Sequence, residues 1–198
     1  MSKRIIGLTG GIATGKSTVA NYLASGYNIT ILDADIYARD AVSVGSAILT
    51  AIAQRYGESI LLPDGDLSRQ KLGEIIFKDQ DERKWVESLI HPYVRDRFLK
   101  EITESPLATL VLVVPLLFEA QMTNLVTEIW VVSCSESQQI QRLMQRNYLS
   151  REQALARIHS QLSIAKKAAC ADVVLDNSST VAALLKQVDV ALTIGSIK

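Results

Sequence analysis

Five short runs of continuous apolar residues punctuate this chain, separated by longer stretches in which apolar positions recur at helical spacing. The first covers Arg4 to Leu8, and the second lies in "YNITILDAD", ending at Asp33. "ATLVLVV" (108–114), "EIWVVSC" (128–134) and "ADVVLD" (171–176) are the others. A strand with one wet face alternates apolar and polar residues, and these runs do not. They predict strands buried on both faces, and hence a parallel α/β sheet of five strands with helices packed on each side. The stretch Gly15 to Ala24 predicts the helix after the first strand.

Two regions carry little strand signal. From about Ile36 to Thr103 the pattern predicts helices in "SAILTAIAQRYG", "SRQKLGEIIF", "DERKWVESLIH" and "PYVRDRFLKEIT". The last two are divided at Pro92, which lacks the amide a helix interior uses. Trp85, Val86, Leu89 and Ile90 share one face of the third. "PDGD" (63–66) is a turn signal. The second region, Ser137 to about Ala171, is polar and rich in Arg and Gln. Within it "SREQ" has capping-box form, with Ser150 as N-cap and Gln153 three residues on. No repeat, low-complexity tract or linker interrupts the chain. The expected organisation is one domain over 1–198, with its core in 1–35, 106–136 and 171–198 and helical excursions at about 36–105 and 137–170.

Composition narrows the partners. The 198 residues carry 21 Lys and Arg against 21 Asp and Glu, so no global basic footprint for nucleic acid exists. Cys134 and Cys170 have no ligand-type spacing and sit in apolar contexts, which predicts buried structural roles for both. The apolar run near the N-terminus is cut by glycines and by Lys16, unlike a signal peptide. "LATLVLVVPLLFEA" is too short to cross a bilayer. A cytoplasmic protein without membrane contact is the expectation.

Chemistry concentrates in "GLTGGIATGKSTVA" (7–20). Gly10, Gly15, Lys16 and Ser17 fill every fixed position of the G-x-x-x-x-G-K-[ST] phosphate loop, an apolar strand precedes it and a helix follows. Such a loop aims backbone N–H groups at phosphate oxygens, and the helix start adds its positive dipole end. Lys16 reaches the β- and γ-phosphates and the Ser17 hydroxyl ligates Mg²⁺. Ala13 stands where many phosphate loops have another glycine; a left-handed backbone there would cost a Cβ-bearing residue about 1–2 kcal/mol.

Asp33 and Asp35, in "LDAD", end the second strand. A carboxylate there serves a hydroxyl nucleophile as base or orienter, or supports Mg²⁺ through water; the competing role is an N-cap for the next helix. Glu119 is a further polar candidate. Arg142 and Arg146 are four apart on one helix face and Arg157 lies beyond a turn near Leu149, with Glu152 the only acid between Gln138 and Gln161. Such arginines are either a solvated face or a lid over transferring phosphate.

Taken in order, "IGLTGGIATGKSTVA", "LDADIYAR", "LIHPYVR", "VPLLFEA", "QRLMQRNYLSREQALARI" and "ADVVLDNS" resemble the dephospho-coenzyme A kinase family over nearly the whole chain. The resemblance implies a P-loop NTPase three-layer fold and ATP- and Mg²⁺-dependent phosphorylation of the ribose 3′-hydroxyl of dephospho-coenzyme A. It implies that Gly10, Gly11, Ile12, Ala13, Thr14, Gly15, Lys16, Ser17 and Thr18 bind ATP, with Ala13 to Thr18 on its phosphates. Asp33 would match the catalytic carboxylate, and Asp35, Arg39 and His91 would lie in the acceptor-binding region. The 137–170 stretch would be the lid, with Arg142 on the adenine face, Arg146 or Arg157 on phosphates, and Asn177 near the base. Asn147 stands where the family often has an acid. Rival readings are a kinase for a nucleoside monophosphate or a shikimate-like acceptor, expected to lack "VPLLFE", and a nucleotide switch, whose N-K-x-D guanine signature is missing here.

Overall fold

A computed structural model describes residues 3–195. In chain order its elements are β1 (Arg4–Gly10), α1 (Lys16–Tyr27), β2 (Thr30–Asp33), α2 (Ala34–Asp40), α3 (Ala47–Tyr56), α4 (Arg69–Lys78), α5 (Gln80–Glu104), β3 (Thr109–Val113), β4 (Glu128–Ser133), α6 (Glu136–Asn147), α7 (Arg151–His159), α8 (Ile164–Ala169), β5 (Val173–Asp176) and α9 (Val181–Gly195). All five expected strands are present, in a sheet of order β2-β3-β1-β4-β5. The chain forms two compact units, one of Met1–Leu32 with Ser105–Lys198, the other Asp33–Glu104.

The first unit is built on β1, which pairs in parallel with β3 (Ile6 opposite Val111) and with β4 (Leu8 opposite Trp130). β5 continues the parallel ladder from β4, with Val132 opposite Leu175. The period of two in a strand sends Ile6, Leu8, Val111, Val113, Trp130 and Val132 to one face. There they pack with Val19 and Leu23 of α1 and Leu184 and Val188 of α9. The intervening Leu110, Leu112 and Val131 are as fully buried, so both faces are covered. Each such side chain stabilises the fold by about 1.5–3 kcal/mol through area removed from water. Arg4 fastens the far end of α9: its guanidinium donates to the Leu192 carbonyl at 3.0 Å while its Nε meets Glu128.

The second unit is mainly helical, with one antiparallel bridge between Leu61 and Leu67. Ile52, Ile60, Leu67, Leu72 and Val86 form its core, with Trp85, Leu89 and Ile90 packed against it as their shared face predicts. At its rim Arg55 makes a two-pronged bond to Glu82 at 2.7 Å for each prong, and lies 4.4 Å from the Trp85 ring centroid. Tyr37 of α2 packs edge-on to Phe98 of α5 at 5.2 Å between centroids.

Two sequence expectations need correction. The helices divided at Pro92 are one, the 25-residue α5 with Pro92 inside it. An interior proline costs about 3 kcal/mol, but Pro92 is exposed and both flanks are anchored, Val86 on one side and Val94 and Phe98 on the other. Burial of those three side chains outweighs one missing hydrogen bond. Cys134 is buried as expected, whereas Cys170 is exposed, because it falls at the C-cap of the short α8 and outside any packed face.

Candidate active site

β1 runs straight into the loop Gly10–Gly15, and α1 starts at Lys16. Gly15 is the N-cap with φ +108°, a backbone that favours glycine, and it provides no side-chain cap. No side chain therefore caps the start of α1, and its positively polarised end suits an anion. Ala13 adopts φ +60°, so the left-handed conformation expected to strain its Cβ is present.

The loop's carbonyls are held by side chains from other elements. Gln139 of α6, 2% exposed, donates Nε2–H to the Ile12 carbonyl at 2.6 Å. Asn177, just past β5 and also buried, donates Nδ2–H to the Thr14 carbonyl at 2.7 Å. Arg142 spreads its guanidinium over three carbonyls, those of Ala13 (3.3 Å), Thr14 (3.4 Å) and Asn177 (3.0 Å). Gln161 accepts from the Ile12 N–H at 3.1 Å. With these carbonyls taken by side chains, the N–H edges are the polar groups the loop has for an anion, apart from that of Ile12, taken by Gln161, and that of Thr14, which donates to the Gly11 carbonyl at 3.4 Å. Close approach explains Gly11, which the phosphate-loop motif does not demand: a Cβ there would collide with the Gln139 amide.

Lys16 folds back over the loop, donating to the carbonyls of Gly10 (3.1 Å) and Gly11 (2.9 Å), and the Thr14 hydroxyl bonds the Gly11 carbonyl at 2.9 Å. Ser17 is exposed on the first turn, with Thr18 half-buried beside it. Among the described residues no group of three or more His, Cys, Asp or Glu could hold a metal ion unaided. A lone hydroxyl suits a divalent cation that arrives on phosphate oxygens, and does not suit a dedicated protein cage.

α6 and α7 each open with a capping box, Ser135 with Gln138 and Ser150 with the expected Gln153. The face carrying Ile140 and Leu143 packs on Ala154, with Ile12 and Ala13 of the loop against the same cluster. Arg142 and Arg146 differ in surroundings: Arg142 is half-buried on the loop, while Arg146 is exposed and donates to Asn147 Oδ1 at 3.0 Å. Asn147 thus gives Arg146 a neutral acceptor. Arg157 is exposed on α7. Glu119 is not a free site acid; its Oε1 accepts from the Leu162 N–H at 2.8 Å and meets the Lys167 ammonium at 2.9 Å.

The remaining predicted residues belong to the helical unit. Asp33 closes β2 and caps α2, accepting the Asp35 N–H at 2.8 Å, so the capping role is filled. Asp35 and Arg39 are exposed on α2, and His91 is half-buried in the middle of α5. Sequence reasoning overlooked Gln139, Gln161 and Lys167. For Gln139 a signal existed: it lies four residues before Leu143, on the apolar face of α6, where a polar residue needs a partner.

Comparison with known proteins agrees with this geometry. A family model described as dephospho-CoA kinase matches residues 4–183. A dephospho-CoA kinase of Nostoc sp. is 76% identical over 192 residues, covering 97% of this chain and 98% of the relative. That of Synechocystis sp. is 56% identical, covering 94% and 93%. A solved structure from Thermus thermophilus superposes with a TM-score of 0.82 at 30% identity, covering 98% of each chain. The dephospho-CoA kinase of Campylobacter jejuni gives 0.71 at 28% identity, covering 97% of each. With a match that runs nearly end to end, this chain belongs to the dephospho-CoA kinase family.

Proposed function

We propose that the chain transfers the γ-phosphoryl group of ATP to the ribose 3′-hydroxyl of dephospho-coenzyme A, giving coenzyme A and ADP. The observation that carries this reading is the phosphate loop with every carbonyl from Gly10 to Thr14 bonded by a side chain, in a chain of this family. Its N–H edges and the α1 N-terminus receive the triphosphate along Gly10 to Thr18. Lys16 exchanges the Gly10 and Gly11 carbonyls for β- and γ-phosphate oxygens. The Ser17 hydroxyl would hold Mg²⁺, which when bound would supply positive charge to the nucleotide phosphates.

Asp33 orients the acceptor hydroxyl and accepts its proton, with Asp35, Arg39 and His91 binding the acceptor. Arg142, whose fork nitrogens are engaged with carbonyls, keeps its flat face for adenine, and Asn177 lies beside the base. Arg146 and Arg157 neutralise phosphate charge from a lid over 137–170, which excludes water when closed. The reaction takes place in the cytoplasm, and neither nucleic acid nor membrane takes part. No helix among the described residues is long and apolar enough to span a bilayer.

The test is ADP release from ATP and Mg²⁺ with and without dephospho-coenzyme A. Acceptor-dependent ADP supports the transfer; equal release without acceptor contradicts it. Asp33→Asn refines the assignment, because Asn caps a helix as well as Asp and the fold is kept. A base in the reaction is worth about 10²- to 10⁴-fold in kcat, and near-normal turnover would remove Asp33 from the mechanism.

A further inference from the structure

Lys167 is a charged residue with no exposed surface, on α8 some distance along the chain from the phosphate loop. A buried ammonium without partners is costly, and this one is held on two sides. It donates to the Pro115 carbonyl at 2.8 Å and meets Glu119 Oε1 at 2.9 Å. Each contact continues toward the loop. The same Pro115 carbonyl accepts from the hydroxyl of Thr9, a buried residue immediately before Gly10, at 3.3 Å. The same Glu119 oxygen accepts the Leu162 N–H at 2.8 Å, and the preceding residue, Gln161, takes the Ile12 N–H at 3.1 Å. One buried charge thus joins the start of the loop to its middle through two short routes.

We propose that Lys167 is a positioning residue for nucleotide binding, acting through Glu119 and Gln161 to fix the Ile12 peptide. Without the ammonium, Glu119 loses the charge that holds its carboxylate in place, and the Gln161–Leu162 segment loses its anchor. Ile12 then loses the partner of its N–H and keeps the Gln139 bond to its carbonyl, the adjoining Gly11 carbonyl staying with Lys16 and Thr14, and this part of the loop samples orientations that do not match the phosphates. The proposal rests on the reading that this loop holds ATP.

Lys167→Met keeps the aliphatic stem and removes the charge. It should raise the ADP dissociation constant, measured by calorimetry, about tenfold. The KM for ATP should rise in step, with kcat at saturating ATP within about twofold of wild type. Gln161→Ala should raise the ADP dissociation constant by a similar factor with little change in thermal midpoint, its side chain being only half-buried. The double variant should bind no more weakly than the weaker single variant, because both interrupt one route. Should Lys167→Met fail to fold, Glu119→Gln, at a partly exposed position, carries the same expectation. Unchanged ADP affinity in a folded variant with a lowered thermal midpoint assigns Lys167 to stability alone and overturns the proposal. Additive losses with Gln161→Ala overturn the route. Wild-type protein that binds no ADP overturns the nucleotide reading itself and the proposal with it; binding of ADP without transfer to dephospho-coenzyme A contradicts only the assigned acceptor.

Discussion

Position 13 offers a graded test of the phosphate loop, because Ala13 holds a left-handed backbone at φ +60°. Three terms decide what Ala13→Gly does to stability. Relief of the left-handed strain favours the variant by about 1–2 kcal/mol. Extra freedom of glycine in the unfolded chain disfavours it by about 0.4–1 kcal/mol. Ala13 also packs, partly buried, against Ile140, Leu143 and Ala154, and losing a half-buried methyl costs about 0.4 kcal/mol, half the value of a fully buried methylene. The terms nearly cancel, leaving a net effect centred on a gain of about 0.4 kcal/mol and within about 1 kcal/mol of it, so the thermal midpoint moves by no more than about 2–4 °C for a chain this long. Ala13→Val is different. A β-branched side chain at positive φ is a true outlier, and the loop must either carry more than about 2 kcal/mol of strain or turn the peptide. The expected order by calorimetry is therefore Gly close to Ala, with Val lower by about 4–8 °C. ADP should bind the Gly variant within a few-fold of wild type and the Val variant more weakly. A Val variant that melts with wild type and binds ADP equally would refute the conformational argument.

Other predictions test the latches and the two units separately. Arg142→Lys replaces a fork across three carbonyls with one ammonium; it should weaken ADP binding about tenfold or more, and unchanged affinity would deny the clamp a role. Arg55, and then Tyr56, hold the Glu82 carboxyl down at about 2. Its stabilisation is complete above the ordinary carboxylate range and is lost as pH falls toward 2, so the thermal midpoint of Glu82→Gln should fall less steeply between pH 5 and pH 2.5, both about the window in which carboxylates titrate; parallel curves would contradict this. In the other unit, Asp189 accepts hydrogen bonds from Tyr22 (2.8 Å) and Tyr27 (2.6 Å), and its carboxylate pushes the Tyr27 phenol up to about 12. That contribution is present below the ordinary tyrosine value of about 10 and disappears as pH rises toward 12. Asp189→Asn should flatten the alkaline fall in stability and bring the Tyr27 absorbance titration down, and an unshifted titration would contradict the assignment.

The sheet was legible because a strand buried on both faces writes itself as an unbroken apolar run, and the phosphate loop because its chemistry fixes residue types at fixed spacing. α5 was misread at Pro92 for the converse reason: the local rule is sound, and tertiary packing of Val86, Val94 and Phe98 overrides it. The latches were the least legible part. Gln139 and Ile12 are 127 residues apart, and Lys167 and Pro115 are 52 apart. A Gln or Lys in a polar helix reads as surface until the fold shows what it faces. Exposure separates Arg142 from Arg146 in the same way, although both lie on one helix face.

The central claim is that this loop delivers the γ-phosphoryl group to one ribose hydroxyl. Its most direct test is incubation of the protein with ATP, Mg²⁺ and dephospho-coenzyme A, followed by mass analysis and a phosphorus–proton correlation spectrum of the acceptor. The account predicts a gain of one phosphoryl group with its phosphorus coupled to the ribose 3′ proton. An unmodified acceptor, or a phosphoryl group on any other oxygen, would contradict it.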